Sequence, residues 1–216
     1  MNIPEQKTNW KQSWNDGKTG FHLSKTNPSL EQYAHLLDQE HTILVPLCGK
    51  TLDMHFLHNR NHSVVGIELV PQAINDFFQE WGVVPTTHQN RFNHERITVI
   101  NSNIFAIQSQ DLPTIDGIFD RAALVALPTS IRVQYAAHLL SLLKDGGTLL
   151  LITYDMPRPQ DQGPPFTVRQ HDVPHLFKHA SSVELLKEIH NTPQDEPRLI
   201  SRGVAWSKEH IWKIKK

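Results

Sequence analysis

The feature of this chain that most constrains its fold is an alternation of short apolar runs with longer segments of helical period. The runs show no internal polar alternation, which is typical of strands buried on both faces of a parallel sheet. Segments of helical period at residues 52–59, 71–81 and 131–143 separate them. The apolar runs lie at residues 42–47, 63–69, 97–100, 117–120 and 148–154. This order predicts an α/β fold in which helices cover a mostly parallel sheet.

The chain beyond residue 154 departs from this alternation. Residues 155–165 are rich in Pro and Gly, which predicts a loop. Further elements are predicted as a short helix at residues 172–179 and strands at residues 183–190 and 210–214. The two strands are close enough in sequence to pair at one edge, so we expect a Rossmann-like sheet of about seven strands. We expect one domain over residues 1–216, with an N-terminal helical lid in 1–41 and the Rossmann-like core in 42–216.

The composition excludes several classes of protein and site. The 216 residues include 21 Lys and Arg against 22 Asp and Glu, a balance that argues against a broad cationic face for nucleic acid or anionic lipid. A single Cys rules out an intramolecular disulfide and favours a reducing compartment. The first residues lack a secretory apolar segment, and no window approaches about 18 uninterrupted apolar residues. We therefore expect a cytoplasmic protein without a membrane partner.

The turn after the first apolar run is where an open parallel sheet places its ligand. Its residues 48–51 (CGKT) resemble the end of a phosphate-binding loop, but that motif needs a glycine where this chain has Leu44. A dinucleotide fingerprint needs three glycines, and this turn has only Gly49. A single glycine lets the backbone approach a ligand closely at one point, which suits a ligand without a pyrophosphate. The same glycine also fits an ordinary tight turn that binds no ligand.

Charged residues follow two further strands at the same edge. Glu68 ends the second apolar run, nineteen residues after Gly49, where an acidic side chain accepts hydrogen bonds from the hydroxyl groups of a ribose. Nicotinamide and S-adenosyl cofactors both have such a ribose, whereas a solvated carboxylate at a strand end needs no ligand. Asp120 and Arg121 follow the fourth run. Three strand ends therefore present candidate contacts for an adenosine cofactor.

Seven short motifs, taken in order along the chain, are more specific together than any one of them alone. They are residues 10–14 (WKQSW), 15–22 (NDGKTGFH), 46–50 (PLCGK), 66–69 (GIEL), 104–105 (IF), 119–127 (FDRAALVAL) and 163–166 (GPPF). From Trp10 to the C-terminus, this series resembles the thiopurine S-methyltransferase family. The resemblance implies a class I methyltransferase that uses S-adenosyl-L-methionine and methylates the sulfur of a small aromatic or heterocyclic thiol.

The resemblance also implies roles on the cofactor side. Residues 10–21 would form a lid, with Phe21 facing the acceptor as well. The implied cofactor contacts are Trp10, Trp14, the backbone of Leu47 and Gly49 for the amino-acid part, Glu68 for the ribose, Asn103 and Ile104 for the adenine, and Arg121. Position 103 differs from the Ser that is more usual in the family. Read alone, tryptophans four positions apart fit a helix packed on the core, although an aromatic ring near a sulfonium also gains cation–π attraction.

On the acceptor side, the resemblance places Arg121 near the acceptor sulfur and Arg198 as a second arginine, a role for which Arg202 competes. Methyl transfer from a sulfonium is an in-line displacement that needs alignment and exclusion of water. An acidic aromatic thiol is already largely thiolate near neutral pH. Arg121 would stabilise that anion, unless it only pairs with charges at the strand ends. Asp120 has two possible roles, as a proton acceptor for a neutral thiol or as a partner that orients Arg121.

Other functions keep part of this pattern. The same cofactor could serve other acceptors, namely selenium or tellurium species, halide or thiocyanate. A nicotinamide oxidoreductase is a second alternative, favoured by the fold class and by Glu68. The 14 histidines raise a metal-binding module as a third class, but their spaced sets lack a Cys or carboxylate in a zinc pattern. These sets are His171, His175 and His179, and His55 and His58. We expect no metal, and a monomer is sufficient for one domain with a mobile lid.

Overall fold

The computed structural model describes residues 10–17, 19–201 and 203–216, apart from the side chain at position 198. The chain divides into two compact units, of which the first ends at Ile118 and the second begins at Phe119. Over the described ranges it forms nine strands. These are β1 (Thr42–Pro46), β2 (Ser63–Glu68), β3 (Thr86–His88), β4 (Arg91–His94), β5 (Ile97–Asn101), β6 (Ile115–Arg121), β7 (Leu143–Asp155), β8 (Ser182–Asn191) and β9 (Ser207–Lys215).

Parallel strands form the centre of the first unit. β1 pairs in parallel with β2 and with the beginning of β6, and β2 pairs in parallel with β5. The resulting order is β3-β4-β5-β2-β1-β6. Because the chain winds outward from β1 in both directions, the crevice that binds ligands in such sheets lies outside the carboxyl ends of these strands.

Seven helices are described, and two of them have terminal residues that suit a helix end. The seven are α1 (described at residues 10–15), α2 (Pro28–Tyr33), α3 (Asp53–Asn59), α4 (Pro71–Trp81), α5 (Thr129–Leu142), α6 (Asp172–Leu176) and α7 (Arg198–Ser201). The Asn27 side chain caps α2 by accepting hydrogen bonds from two backbone N–H groups of its first turn. α4 has Pro71 in its first turn and ends at Gly82, which is left-handed with a φ of 76°. Among the described residues, no helix is long and apolar enough to cross a membrane.

The second unit contains an antiparallel ribbon. β9 pairs with β7 from Lys215 opposite Thr148 to Lys208 opposite Asp155, and it pairs with β8 on its other side. This confirms the predicted pairing of the last two strands. The end of β6 belongs to this unit, whose described strands follow the order β6-β7-β9-β8, and α5 packs on β7.

Two features differ from the sequence-based expectation. β3 and β4 form a hairpin next to β5 that was not predicted, because its residues are mostly polar and half-buried or exposed and so leave no apolar run. The third helical segment was predicted to extend to residue 143. Instead, α5 ends at Leu142, and Gly146 lies within β7 with a φ of 74°. The described strands therefore number nine rather than the predicted seven.

Gly66 of β2 lies against two sulfur atoms, and this close packing leads to a prediction. A Cβ at position 66 would lie 2.7 Å from Cys48 Sγ and 2.9 Å from Met54 Sδ. We expect Gly66→Ala to lower the free energy of unfolding by about 1–3 kcal/mol, because overpacking forces core side chains out of their rotamers. Urea denaturation measures this, with Gly20→Ala as control, since a Cβ there meets nothing within 4 Å. Adding Cys48→Ala to Gly66→Ala should recover part of the lost free energy of unfolding. Equal effects of Gly66→Ala and Gly20→Ala would contradict the packing argument.

Candidate functional site

Glu68 ends β2, and its carboxylate fastens two turns of the first unit. Oε2 accepts a hydrogen bond from the N–H of Gly49 at 2.8 Å, and Oε1 accepts one from the N–H of Val70 at 2.7 Å. The backbone of Leu69 provides a third bond. Burial raises the pKa of Glu68, while the backbone bonds lower it because they favour the ionised form. With 6% of its surface exposed, Glu68 is a buried carboxylate and not a solvated strand end.

The turn after β1 has a backbone conformation that few side chains tolerate. The φ angle is 48° at Leu47 and 54° at Gly49, both in the left-handed region. A residue with a Cβ pays about 1–2 kcal/mol for this conformation, so Leu47 must be held by its surroundings. One such restraint is the hydrogen bond from the N–H of Cys48 to the carbonyl of Ile67 on β2, at 3.1 Å. The glycine singled out in the sequence therefore occupies a position that favours glycine.

Aromatic side chains from the N-terminal segment cover this turn. Trp14 is buried against the start of α4, and Trp10 and Phe21 pack on the same cluster. Phe21 meets each tryptophan edge to face, with ring centroids 5.6 Å apart in both pairs. A Cβ at Gly49 would lie 3.2 Å from the Trp14 ring and 3.7 Å from the Phe21 ring. Four residues implied by the resemblance therefore come together in the first unit.

The segment after β5 lies beside the end of β2. The side chain of Asn101 and the N–H of Ser102 both donate to the main-chain oxygen of Glu68, at 3.0 and 2.9 Å. Asn103 follows and caps a short 3-10 turn, in which its Oδ1 accepts a backbone N–H at 3.1 Å. Ile104 is buried within that turn. Asn103 and Ile104, the implied adenine contacts, therefore lie directly after residues that are hydrogen-bonded to Glu68, the candidate ribose contact.

The donor set in this region fits an adenosine cofactor that carries a sulfonium. A carboxylate has about four lone-pair sites, so Glu68 retains capacity for a ribose hydroxyl after its backbone bonds. Gly49 presents backbone without a Cβ. The nearby rings of Trp14 and Phe21 suit a sulfonium through cation–π attraction.

The two residues that flank Gly49 have structural partners. Cys48 is buried, and both burial and the charge of Glu68 raise the pKa of its thiol well above the ordinary value, so the thiol stays protonated and unreactive. Lys50 Nζ forms an ion pair with Glu80 of α4 at 2.5 Å. This pair ties the turn to α4.

In the second unit, Asp120 is fully buried and organises the segment that follows β6. Its Oδ1 accepts hydrogen bonds from the N–H groups of Ala123 and Leu124 at 3.2 and 3.1 Å, and Oδ2 accepts one from the Tyr135 hydroxyl of α5 at 2.9 Å. Burial raises the pKa of Asp120 from 3.8 to about 6, although the three bonds oppose the shift. These contacts use both carboxylate oxygens and shape a turn in which Ala122 has a φ of 70°. They differ from the two roles suggested by the sequence, which were to accept a proton from a thiol or to orient Arg121.

Arg121 ends β6 and forms a hydrogen bond with the phenol of Tyr154 on β7. The same phenol is bonded to Glu209 of β9, which lies opposite Tyr154 in the strand register. Burial raises the pKa of Tyr154 to about 12; Glu209 adds to this effect and Arg121 opposes it. The predicted acceptor-side arginine therefore has a neutral hydrogen-bond partner at the end of the neighbouring strand.

Tyr154, Glu209 and Arg132 are polar residues of this unit that were not predicted. Arg132 of α5 is 1% exposed and donates to the carbonyls of Leu127 and Thr167, both at 2.9 Å. Burial lowers its pKa to about 10. It connects the segment after β6 with the segment after β7. The only sequence signals were a charge within a helical period and a tyrosine at the end of an apolar run.

Arg198 and Arg202 are the two candidates for the second acceptor-side arginine. Arg198 begins α7, and its side chain lies outside the described part of the structure. Arg202, the alternative, lies wholly outside the described residues.

The histidines have partners of other kinds. His55 stacks on Phe77, with ring centroids 4.7 Å apart, and His58 pairs with Glu95 at 2.9 Å. α6 begins at Asp172, as predicted, and ends at Leu176 instead of residue 179. Within the ranges that the structure describes, no group of three or more His, Cys, Asp or Glu is arranged to hold a metal ion.

The raised pKa of Asp120 predicts a pH dependence of stability. Between pH 3.8 and about 6 the folded carboxyl holds a proton that the unfolded chain has released, so the free energy of unfolding falls as pH rises through this window. The difference is worth roughly 3 kcal/mol. Urea denaturation at several pH values should show that Asp120→Asn loses this component, while Asp76→Asn, at a half-buried position of α4, keeps it. Equal pH slopes in wild type and Asp120→Asn would contradict the assignment.

Comparison with known proteins identifies relatives along nearly the whole chain. A family model described as Thiopurine S-methyltransferase (TPMT) matches residues 5–216. The thiopurine S-methyltransferase of Xanthomonas axonopodis pv. citri (strain 306) is 37% identical over 213 residues, which are 96% of this chain and 97% of the relative. The enzyme of the same name from Legionella pneumophila subsp. pneumophila (strain Philadelphia 1) is 33% identical over 213 residues, with 96% of each chain covered.

Solved structures confirm the predicted methyltransferase fold. The 1,6-didemethyltoxoflavin-N1-methyltransferase of Burkholderia thailandensis, solved with S-adenosylhomocysteine, aligns with a TM-score of 0.66 at 14% identity and covers 100% of this chain and 92% of its own. A SAM-dependent methyltransferase from Anabaena variabilis ATCC 29413 has the same TM-score at 15% identity, covering 100% and 95%. Fold and sequence agree, and the chain belongs to the thiopurine S-methyltransferase family.

Proposed function

We propose that this chain transfers a methyl group from S-adenosylmethionine to the sulfur of an aromatic or heterocyclic thiol. Its membership of the thiopurine S-methyltransferase family supports this reaction. The structural observation that carries the proposal is the Glu68 carboxylate, bonded to the N–H of Gly49 beside the rings of Trp14 and Phe21. This combination provides a ribose acceptor, a backbone without a Cβ and an aromatic environment for a sulfonium.

The first unit supplies the cofactor side. Glu68 accepts a ribose hydroxyl, and the backbone of Leu47 and Gly49 binds the amino-acid part. Asn103 and Ile104 flank the adenine. When bound, the cofactor provides an electrophilic methyl group on a positively charged sulfur. The lid formed by Trp10, Trp14 and Phe21 excludes water from that methyl group, which prevents its loss to hydrolysis.

The acceptor side relies on arginine and needs no general base. The guanidinium of Arg121 stabilises and orients an incoming thiolate, with Arg198 as the second arginine. Asp120 is fully buried and bonded to its own turn and to Tyr135, so we assign it to the support of that turn and not to proton transfer from the acceptor. An acidic thiol therefore enters already ionised, and the chain's task is alignment of the sulfur with the methyl group.

The role of Glu68 is tested by ligand-induced stabilisation. We expect S-adenosylhomocysteine to raise the Tm of the wild type, whereas NAD leaves it unchanged. Glu68→Gln should weaken binding of S-adenosylhomocysteine by about tenfold or more, since the amide places an N–H against a backbone N–H and loses the charged acceptor. Glu31→Gln, at an exposed position of α2, is the matched control. Undiminished binding by Glu68→Gln would show that this carboxylate does not hold the ribose.

The role of Arg121 is tested by separating acceptor kinetics from cofactor binding. Arg121→Ala should lower kcat/KM for acidic aromatic thiols by about tenfold or more, because a charge-assisted bond to the thiolate is lost, with a smaller effect on the Kd of S-adenosylhomocysteine. Labelled methyl transfer to aromatic thiols, aliphatic thiols, iodide and selenium species measures this and ranks the acceptor classes. Arg60→Ala removes a half-exposed ion pair with Asp38 and serves as control. Unchanged thiol kinetics in Arg121→Ala would refute the assignment.

A further inference from the structure

Three side chains from neighbouring strands form a polar row in the second unit. Arg121 ends β6, Tyr154 lies near the end of β7, and Glu209 lies on β9. These strands are adjacent in the order β6-β7-β9, and Tyr154 and Glu209 are direct register partners. The phenol of Tyr154 is hydrogen-bonded to both charged residues. We call Arg121, Tyr154 and Glu209 the strand-end triad.

The chemistry of the three groups sets the direction of the hydrogen bonds. A guanidinium only donates and a carboxylate only accepts, whereas a phenol does both. Tyr154 therefore donates its single proton to Glu209 and accepts an N–H from Arg121. The raised pKa of Tyr154, about 12 mainly through burial, keeps the phenol protonated at neutral pH.

Packing holds the central member of the triad in place. The Tyr154 ring lies against a buried apolar cluster of Met156, Leu199 and Val204. A ring fixed in this way places its hydroxyl at one position, so a guanidinium bonded to that hydroxyl loses much of the freedom of a long side chain. Hydrogen bonds from a fixed partner restrict Arg121 in the same way that outer residues restrict the ligands of a metal ion.

We propose that Tyr154 and Glu209 are positioning residues, which hold the guanidinium of Arg121 in the orientation that binds an anionic thiol acceptor. This inference rests on the proposed function and extends it to acceptor choice. Preorganisation increases affinity for a thiolate, which needs a directed charge-assisted bond, more than for a neutral thiol. Tyr154 and Glu209 are then determinants of specificity for acidic thiols, although neither contacts the acceptor.

Tyr154→Phe isolates the hydroxyl, because the phenylalanine ring can keep the apolar packing. We expect the KM for an acidic aromatic thiol to rise about tenfold, as for one lost hydrogen bond to a charged group, while the Kd of S-adenosylhomocysteine and the Tm change little. Tyr33→Phe, at a half-buried position of α2 in the other unit, is the matched control. A structural role alone would instead lower Tm and cofactor binding together, and that result would overturn the proposal.

A double-mutant cycle tests the link to Glu209. Glu209→Leu should raise the same KM, and the variant with both changes should be no worse than the more affected single variant, because the residues act through one chain of bonds. Glu184→Leu, at an exposed position of β8, controls for removal of a carboxylate from the ribbon. Additive effects of Tyr154→Phe and Glu209→Leu would refute the shared action.

A spectroscopic readout separates this inference from the proposed function. A guanidinium N–H resonance of Arg121 can be assigned in labelled protein by its loss in Arg121→Lys. It should shift in Tyr154→Phe and in Glu209→Leu, but not in the two controls, whether or not any thiol is methylated. Failure of the wild type to methylate any thiol would refute the proposed function. A wild type that methylates thiols, combined with a resonance or KM unmoved in Tyr154→Phe, would refute the triad alone.

Discussion

One buried carboxylate fixes the geometry on which the cofactor side depends. Glu68 is bonded at one oxygen to the turn that follows β1 and at the other to the turn that begins α4. These bonds offset the cost of burying a charge, and they hold the positive φ values of the β1 turn in place. The aromatic cover over Gly49 rests on the same two turns. A single side chain thus links the ends of two strands with the turn that lies under the ring cluster.

The parts of this arrangement that depend on local pattern were predictable. Apolar runs identify β1, β2 and β5, and because parallel strands end at one edge, Gly49 and Glu68 were expected together. The contacts of Asp120 were not, since its partner Tyr135 lies 15 residues later, at what looks like an ordinary apolar position of α5. The β3–β4 hairpin was also missed, because edge strands with half-exposed residues need no apolar run.

Contacts between residues far apart in sequence also explain why the proposed acceptor side was harder to predict than the proposed cofactor side. Tyr154 and Glu209 are 55 residues apart, and only the antiparallel register of β7 and β9 makes them partners. Arg132 bonds to carbonyls five and 35 residues away. A buried polar group without a hydrogen-bond partner lowers the stability of the fold. Each such group therefore fixes the path of the segment that provides its partner. Sequence shows the polar residue but not the distant group that satisfies it.

The closeness of Trp14 to Gly49 also restricts how this chain can change by mutation. A Cβ at position 49 would lie 3.2 Å from the indole, and the backbone there already has a positive φ. A larger residue at 49 would therefore need a smaller or displaced ring at 14, and a replaced ring at 14 would expose the turn. Neither position can change independently of the other, so the two should vary together among descendants of this chain, although they are 35 positions apart in the sequence.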